Sequence, residues 1–143
     1  MLRRKHILLL LEWYDYRIHR GVAQVARQNG WQLNCPKSFT HNKGILNNWQ
    51  GDGCIALLQC TQTLDYFRTH KIPLVDLGLS DHNLPITRVV TDNEAIGRLA
   101  AEHFRDHGYK EVFALTPGGI KMYEERLQAF ITHMEADGGN VTV

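Results

Sequence analysis

The sequence predicts an α/β fold with a doubly wound, mostly parallel sheet and helices on both faces. Three observations carry this. Apolar runs alternate with helix-period patterns along the whole chain. The first apolar run is continuous rather than alternating. The stretch VVTDNEAIGRLAAEHFRDHGYKEVFAL, Val89 to Leu115, reads strand, helix, strand with clean stops.

The elements follow in order. HILLLL, His6 to Leu11, is the uninterrupted apolar run of a strand buried on both faces. A helix is predicted from Asp15, with Ile18, Val22, Val25 and Ala26 on one stripe and Asn29-Gly30 as its stop. WQLNC alternates as a short strand. The polar segment from Thr40 to Gly53 connects onward, with one helical turn expected around Ile45, Leu46 and Trp49. CIALLQ is a third strand, TQTLDYFRTH a short helix, KIPLVDLGL a fourth strand, SDHNLPI a loop and TRVVT a fifth strand.

Thr91 and Glu94 then have capping-box spacing, with Asp92 adding negative charge at the helix start. Ile96, Leu99, Ala100, His103 and Phe104 are expected on the packed face, and Gly108 as a left-handed stop. EVFAL is a sixth strand, TPGG a turn, Met122 to Ala136 a helix, and NVTV the start of another strand. Strands and helices alternating at this length predict right-handed parallel crossovers within one sheet.

Composition narrows the function classes. With 143 residues the chain is long enough for a core, and a net charge of +1 provides no electrostatic footprint for nucleic acid. The opening MLRRKHILLLL imitates a secretion signal, but Glu12 ends a short apolar run with no small-residue cleavage site, so a buried first strand is expected. No segment approaches the ~20 apolar residues of a membrane span. Cys35, Cys54 and Cys60 form neither a disulfide framework nor a zinc pattern, and are read as buried thiols in a reducing cytoplasm.

In an open parallel sheet, ligands bind beyond the carboxyl ends of the strands. That selects EWYDYR (Glu12, Trp13, Tyr14, Asp15, Tyr16 and Arg17), then Gln59, the GLSDH segment and TPGGIKMYEER. Aromatic rings can stack on the C–H face of a sugar while Asp15 and Arg17 hydrogen-bond its hydroxyls. The competing reading makes Asp15 a helix cap and the aromatics a cover for the helix entry. Arg126, one turn into the last helix, could reach the same mouth or could be an exposed arginine paired with Glu124, Glu125 or Glu111. Pro117-Gly118-Gly119 matches no phosphate-loop motif and is read as a plain turn. His103 and His107 have the i, i+4 spacing of metal ligands but lack partners, so a core histidine and a helix-end histidine are expected, with no metal and no cofactor. No nucleophile elbow occurs, and no catalytic residue is assigned.

With those residues in hand, the chain resembles the ligand-binding core of the lactose-repressor/galactose-repressor family, relatives of periplasmic sugar-binding proteins. The resemblance rests on VVTDNEAIGRLAAEHFRDHGYKEVFAL, a following GG turn and ERLQAF, with Ala129 where the family pattern R-x-x-G-F has glycine. YDYRIHRGVAQVARQNGWQL is similar to the start of the xylose-operon regulator subgroup, in which the sugar-binding core comes first and the DNA-binding domain last. The resemblance implies an effector contact at Arg126, a cleft-lining role for Glu12 to Arg17, and a capping role for Asp92. It also implies a homodimer contact through the first helix and the helix from Asn93.

It implies, further, a cytoplasmic transcription regulator sensing a sugar, a pentose by the subgroup. DNA would be reached only through a domain outside these residues, and no enzyme activity or membrane contact is implied. Residues 1–143 are expected to be the N-terminal lobe, without the second lobe or the DNA-binding domain. A sugar-binding protein of a transport system, or an interaction module with no ligand of its own, are the alternatives.

Overall fold

The computed structural model describes residues 3–36, 46, 49–57, 61–78 and 85–143, with the backbone alone for residues 61–64. Strand β1 (His6–Leu11) leads into helix α1 (Tyr16–Gln28) and β2 (Gln32–Asn34). Then come β3 (Gly53–Leu57), α2 (Thr61–Thr69), β4 (Leu74–Asp76) and β5 (Thr87–Arg88). Helix α3 (Asn93–Asp106), β6 (Glu111–Phe113), α4 (Lys121–Ala136) and β7 (Asn140–Thr142) complete the order. All pairings are parallel, with strand order β2-β1-β3-β4-β5 in one sheet and β6-β7 in another.

The sequence reading placed these strands in one continuous sheet; the structure has two. The chain forms two compact units, Met1–Val90 and Thr91–Val143, because β6 pairs with β7 and not with the first sheet.

In the first unit, β1 lies between β2 and β3, which is why its apolar run is continuous: Leu8, Leu9 and Leu10 are fully buried. Each contributes about 2 kcal/mol of hydrophobic stabilisation. Leu8, Leu10, Cys54, Ala56 and Phe67 form the core on one sheet face, joined by Leu46, Trp49, Tyr66 and Leu74. Leu46, in helical conformation, and Trp49 therefore pack as the polar connection was expected to allow; Ile45 lies outside the described residues. On α1, Ile18 and Val22 are partly buried and Ala26 buried, but Val25 is exposed, which narrows the expected stripe. Cys54 and Cys35 are free thiols; burial pushes both upward, Cys54 far above the ordinary thiol range, and Cys60 lies outside the described residues.

In the second unit, α3 and α4 cross closely over Ala101, Phe130 and Met134, against Phe104, Val112 and Val141. The buried face of α3 is Asn93, Gly97 and Ala101. This corrects the expected face in part: Ala100 and Phe104 pack against that core as expected, but Ile96 is 37% and Leu99 57% exposed, and His103 is exposed rather than a core residue. The close crossing needs small residues at its centre, and these lie one position round from the large apolar ones.

Helix stops follow glycine chemistry. Gly30, Gly108 and Gly138 adopt φ of 65°, 78° and 76° just beyond α1, α3 and α4, a backbone region that costs glycine nothing. No helix among the described residues is long and apolar enough to cross a membrane.

Candidate functional site

Two clusters carry the residues that the sequence singled out, one in each unit. The first follows the carboxyl end of β1. Glu12 closes the strand by donating its backbone N–H to the Leu57 carbonyl at 2.9 Å. The chain then turns outward, leaving Trp13 47%, Tyr14 63% and Tyr16 63% exposed. Tyr14 meets His19 one turn into α1, hydroxyl to Nδ1 at 2.9 Å, with the rings edge to face at 5.6 Å.

Asp15 is the N-cap of α1. It accepts the Arg17 backbone N–H at 2.8 Å and two guanidinium contacts from the same residue, Nε at 3.1 Å and Nη2 at 2.7 Å. The Arg17 side chain, and next its backbone N–H, hold the Asp15 carboxyl down from its ordinary 3.8 to about 2. Asp15 and Arg17 are thus fixed by each other, with the aromatic rings around them open.

The sign of the resulting pH dependence follows. A depressed folded-state value stabilises the native state above the unfolded value, and that stabilisation is lost as pH falls from about 4 towards about 2. Asp15→Asn keeps a capping side chain but removes the titration. Its melting temperature, followed from about pH 5 to about pH 2, is expected to fall less steeply than that of the wild type. Parallel curves would show that Asp15 does not contribute to the acid limb.

The second cluster joins the start of α3 to the first turns of α4. Asp92 caps α3 through a 2.9 Å bond from the Ala95 N–H, so the cap is Asp92 and not the expected Thr91–Glu94 box. Thr91 turns elsewhere. Its hydroxyl donates to Asn93 Oδ1 at 3.1 Å and accepts from Arg126 Nη2 at 3.0 Å. Arg126 Nε donates to the same Asn93 oxygen at 2.9 Å, and Asn93 Nδ2 donates to Glu125 at 2.8 Å. Glu94 reaches across to His133 at 2.6 Å instead of back to its own helix start.

Arg126 is therefore not the surface ion pair of the competing reading. Its guanidinium is held by two neutral oxygens, lies 6.0 Å from the Tyr123 ring centre, and has no carboxylate partner among the described residues. A guanidinium carries five N–H donors, and the described residues engage two of them. Thr91 and Asn93, which orient it, were not singled out as site residues. The available signal was a small polar pair flanking Asp92, which looks the same in sequence as ordinary capping.

The remaining strand ends add less. Gln59 and most of GLSDH lie outside the described residues. The Gly119 N–H donates to the Glu124 carboxylate at 3.2 Å, so the glycine turn is closed by its own helix. The His107 ring approaches the His103 carbonyl at 2.7 Å, and the described residues contain no group of three potential metal ligands.

No protein-family model matches the chain, and no curated protein sequence matches it either. Solved structures do, at low identity. The transcription regulator CcpA of Lactococcus lactis superposes with a TM-score of 0.83 at 16% identity, over 96% of this chain and 56% of that one. A periplasmic binding protein/LacI transcriptional regulator from Alkaliphilus metalliredigens QYMF, complexed with D-xylulofuranose, gives 0.77 at 19%, over 96% and 55%. An ABC transporter periplasmic solute binding protein from Actinobacillus succinogenes 130z with bound D-allose gives 0.78 at 17%, over 97% and 57%. The fold is that of these proteins. The chain spans a little over half of their length.

Proposed function

We propose that this chain is part of the sugar-sensing core of a transcription regulator of the lactose-repressor type. The observation that carries the reading is Arg126: a guanidinium fixed by Thr91 and Asn93, with donors unengaged and no carboxylate partner among the described residues. Such a group suits the hydroxyl oxygens of a sugar, which accept hydrogen bonds without bringing charge. The open aromatics Trp13, Tyr14 and Tyr16 and the Asp15–Arg17 pair suit the apolar and polar faces of the same ligand class.

In this reading the sugar binds between the lobes of a two-lobed core, of which residues 1–143 are the N-terminal lobe. Binding favours the closed state and so shifts a DNA-binding domain located outside these residues. Cytoplasmic location, a pentose effector and a homodimer belong to the same proposal. The exposed Val25 on α1 and the exposed Ile96 and Leu99 on α3 support the dimer, since those two helices are the ones assigned to the contact. A transport protein would use the same cleft without a DNA-binding domain, and retention of specific DNA by the full-length protein separates the two.

Sugar titration by calorimetry, on polypeptide containing both lobes, tests the ligand. Arg126→Ala is expected to weaken pentose or hexose binding by about tenfold or more, and Arg126→Lys by less. The stability loss should stay near 1 kcal/mol, because Asn93 keeps Thr91 and Glu125 as partners. Unchanged affinity in Arg126→Ala would remove Arg126 from the site, and a wild type that binds no sugar would remove the reading itself.

A further inference from the structure

The carboxyl end of α3 carries a pair of histidines that belong to neither cluster. His103 and His107 lie one turn apart and both are exposed, so the core position expected of His103 does not stand against a shared ligand. Their rings face each other with centres 4.4 Å apart and planes inclined by 42°. Two imidazoles at that separation can both reach one ion at the ordinary metal–nitrogen distance of about 2 Å after small side-chain rotations.

The hydrogen bonding fixes which nitrogen of His107 is free. Its Nδ1 lies 2.7 Å from the His103 carbonyl oxygen, and a carbonyl only accepts, so Nδ1 carries the proton and donates. The lone pair is then on Nε2. Metal-bound histidines commonly donate their second ring N–H to a backbone carbonyl in this way, which sets the tautomer and orients the ring. The ring nitrogens of His103 bond to none of the described residues, while its ring packs edge to face on Phe104 with centres 5.9 Å apart.

Helix capping accounts for His107 but not for His103. At the end of α2, His70 makes the same bond, Nδ1 to the Tyr66 carbonyl at 2.8 Å, with the Tyr66 ring stacked on it at 4.1 Å. The position four residues before the histidine is thus a phenol in α2 and a second imidazole in α3. A helix carboxyl end also favours a cation, because it carries about half a negative elementary charge. Asp106 adds to that charge. Its one ion-pair contact among the described residues is Arg105 Nε at 4.0 Å, and Arg105 is itself bonded to Asp137.

We infer that His103 and His107 form a two-point chelate for one divalent transition-metal ion of the copper, nickel and zinc class, with water at the remaining positions. Imidazole suits these ions, whereas Mg2+ and Ca2+ take oxygen ligands. With two protein ligands and no third among the described residues, the site is open and exchangeable, unlike a closed structural centre. Both ligands lie on one helix, so the chelate needs no other element and is independent of the sugar reading.

The test is a calorimetric titration of the untagged 143-residue protein with Ni2+, an ion that does not oxidise the free thiols, in buffer containing excess Mg2+. One ion per chain is expected. His103→Gln and His107→Gln should each lower the affinity about tenfold or more, and the double variant should lose little further, since removing either ligand already opens the chelate. Glutamine keeps the helix propensity, so both variants are expected to fold. His70→Gln removes a capping histidine that has no second imidazole beside it, and should leave Ni2+ binding unchanged. Bound Ni2+ should raise the melting temperature of the wild type and not that of either single variant. Wild-type affinity in His103→Gln would mean that the capping histidine acts alone. Losses that simply add would mean two separate surface histidines, and one ion per two chains a site shared between copies. Any of these, or no binding by the wild type, would overturn the proposal.

Discussion

Gly97→Leu is expected to unfold residues 91–143. A side chain at Gly97 would start inside the neighbouring helix: its Cβ would lie 2.6 Å from Ala129 Cβ, 2.6 Å from the Arg126 carbonyl oxygen and 2.7 Å from the Phe130 nitrogen. Two of those three atoms are backbone, which cannot rotate away. Even Gly97→Ala is decided by this contact. In an exposed helix interior the change would gain about 1 kcal/mol in propensity, but separating two packed helices costs up to about 3 kcal/mol, so a net loss of about 2 kcal/mol is expected. Leucine adds three more carbons at the same place, and a unit this small has only on the order of 5 kcal/mol to lose. The same crossing carries Arg126, so both variants should also disturb its bonds to Thr91 and Asn93. Urea denaturation followed by circular dichroism measures the loss. A higher melting temperature in Gly97→Ala would mean that the helices are free to separate and that propensity wins.

That crossing also shows where the sequence stops being informative. Helix α3 was legible at its carboxyl end, since Gly108 acts locally, while at its start the spacing pointed to Thr91 and Glu94 and only the resemblance to Asp92. Its packed face was legible only in part, through Ala100 and Phe104. Hydrophobicity pointed to Ile96, Leu99 and His103, while the buried positions are Asn93, Gly97 and Ala101, chosen by the close approach of α4. Small residues at a helix crossing have no apolar signal of their own. The two-sheet division was hidden for a related reason. Alternation of strands and helices reads the same whether β6 continues the first sheet or pairs only with β7, because pairing partners are set by tertiary contacts.

The candidate site divides in the same way. Asp15 was visible as a cap by its position, and both its structural role and its place among open aromatics could be stated in advance. Arg126 was found by its distance from the helix start and by resemblance. The oxygens that hold it come from residues more than 30 positions away, a separation over which no local pattern operates.

Arg88→Met is expected to destabilise the first unit by about 3 kcal/mol or more. Asp76, at the carboxyl end of β4, is completely buried. Arg88 is its in-register neighbour on β5, Nε to Oδ2 at 3.2 Å with the arginine side chain 18% exposed, and the Gly78 N–H reaches the other carboxylate oxygen at 2.9 Å. Removing Arg88 leaves a buried carboxylate with, among the described residues, one neutral donor, and breaking a buried pair from one side costs about 3–5 kcal/mol. Removing both charges is a different matter, because the desolvation of each disappears with it. Asp76→Leu combined with Arg88→Met should recover most of the loss, and a double-mutant cycle by urea denaturation should give a coupling of about 2 kcal/mol or more. Additive losses would mean that each residue acts through other partners. A large coupling would identify the pair as what fixes β5, the short last strand of the sheet, at the point where the chain leaves for Thr91.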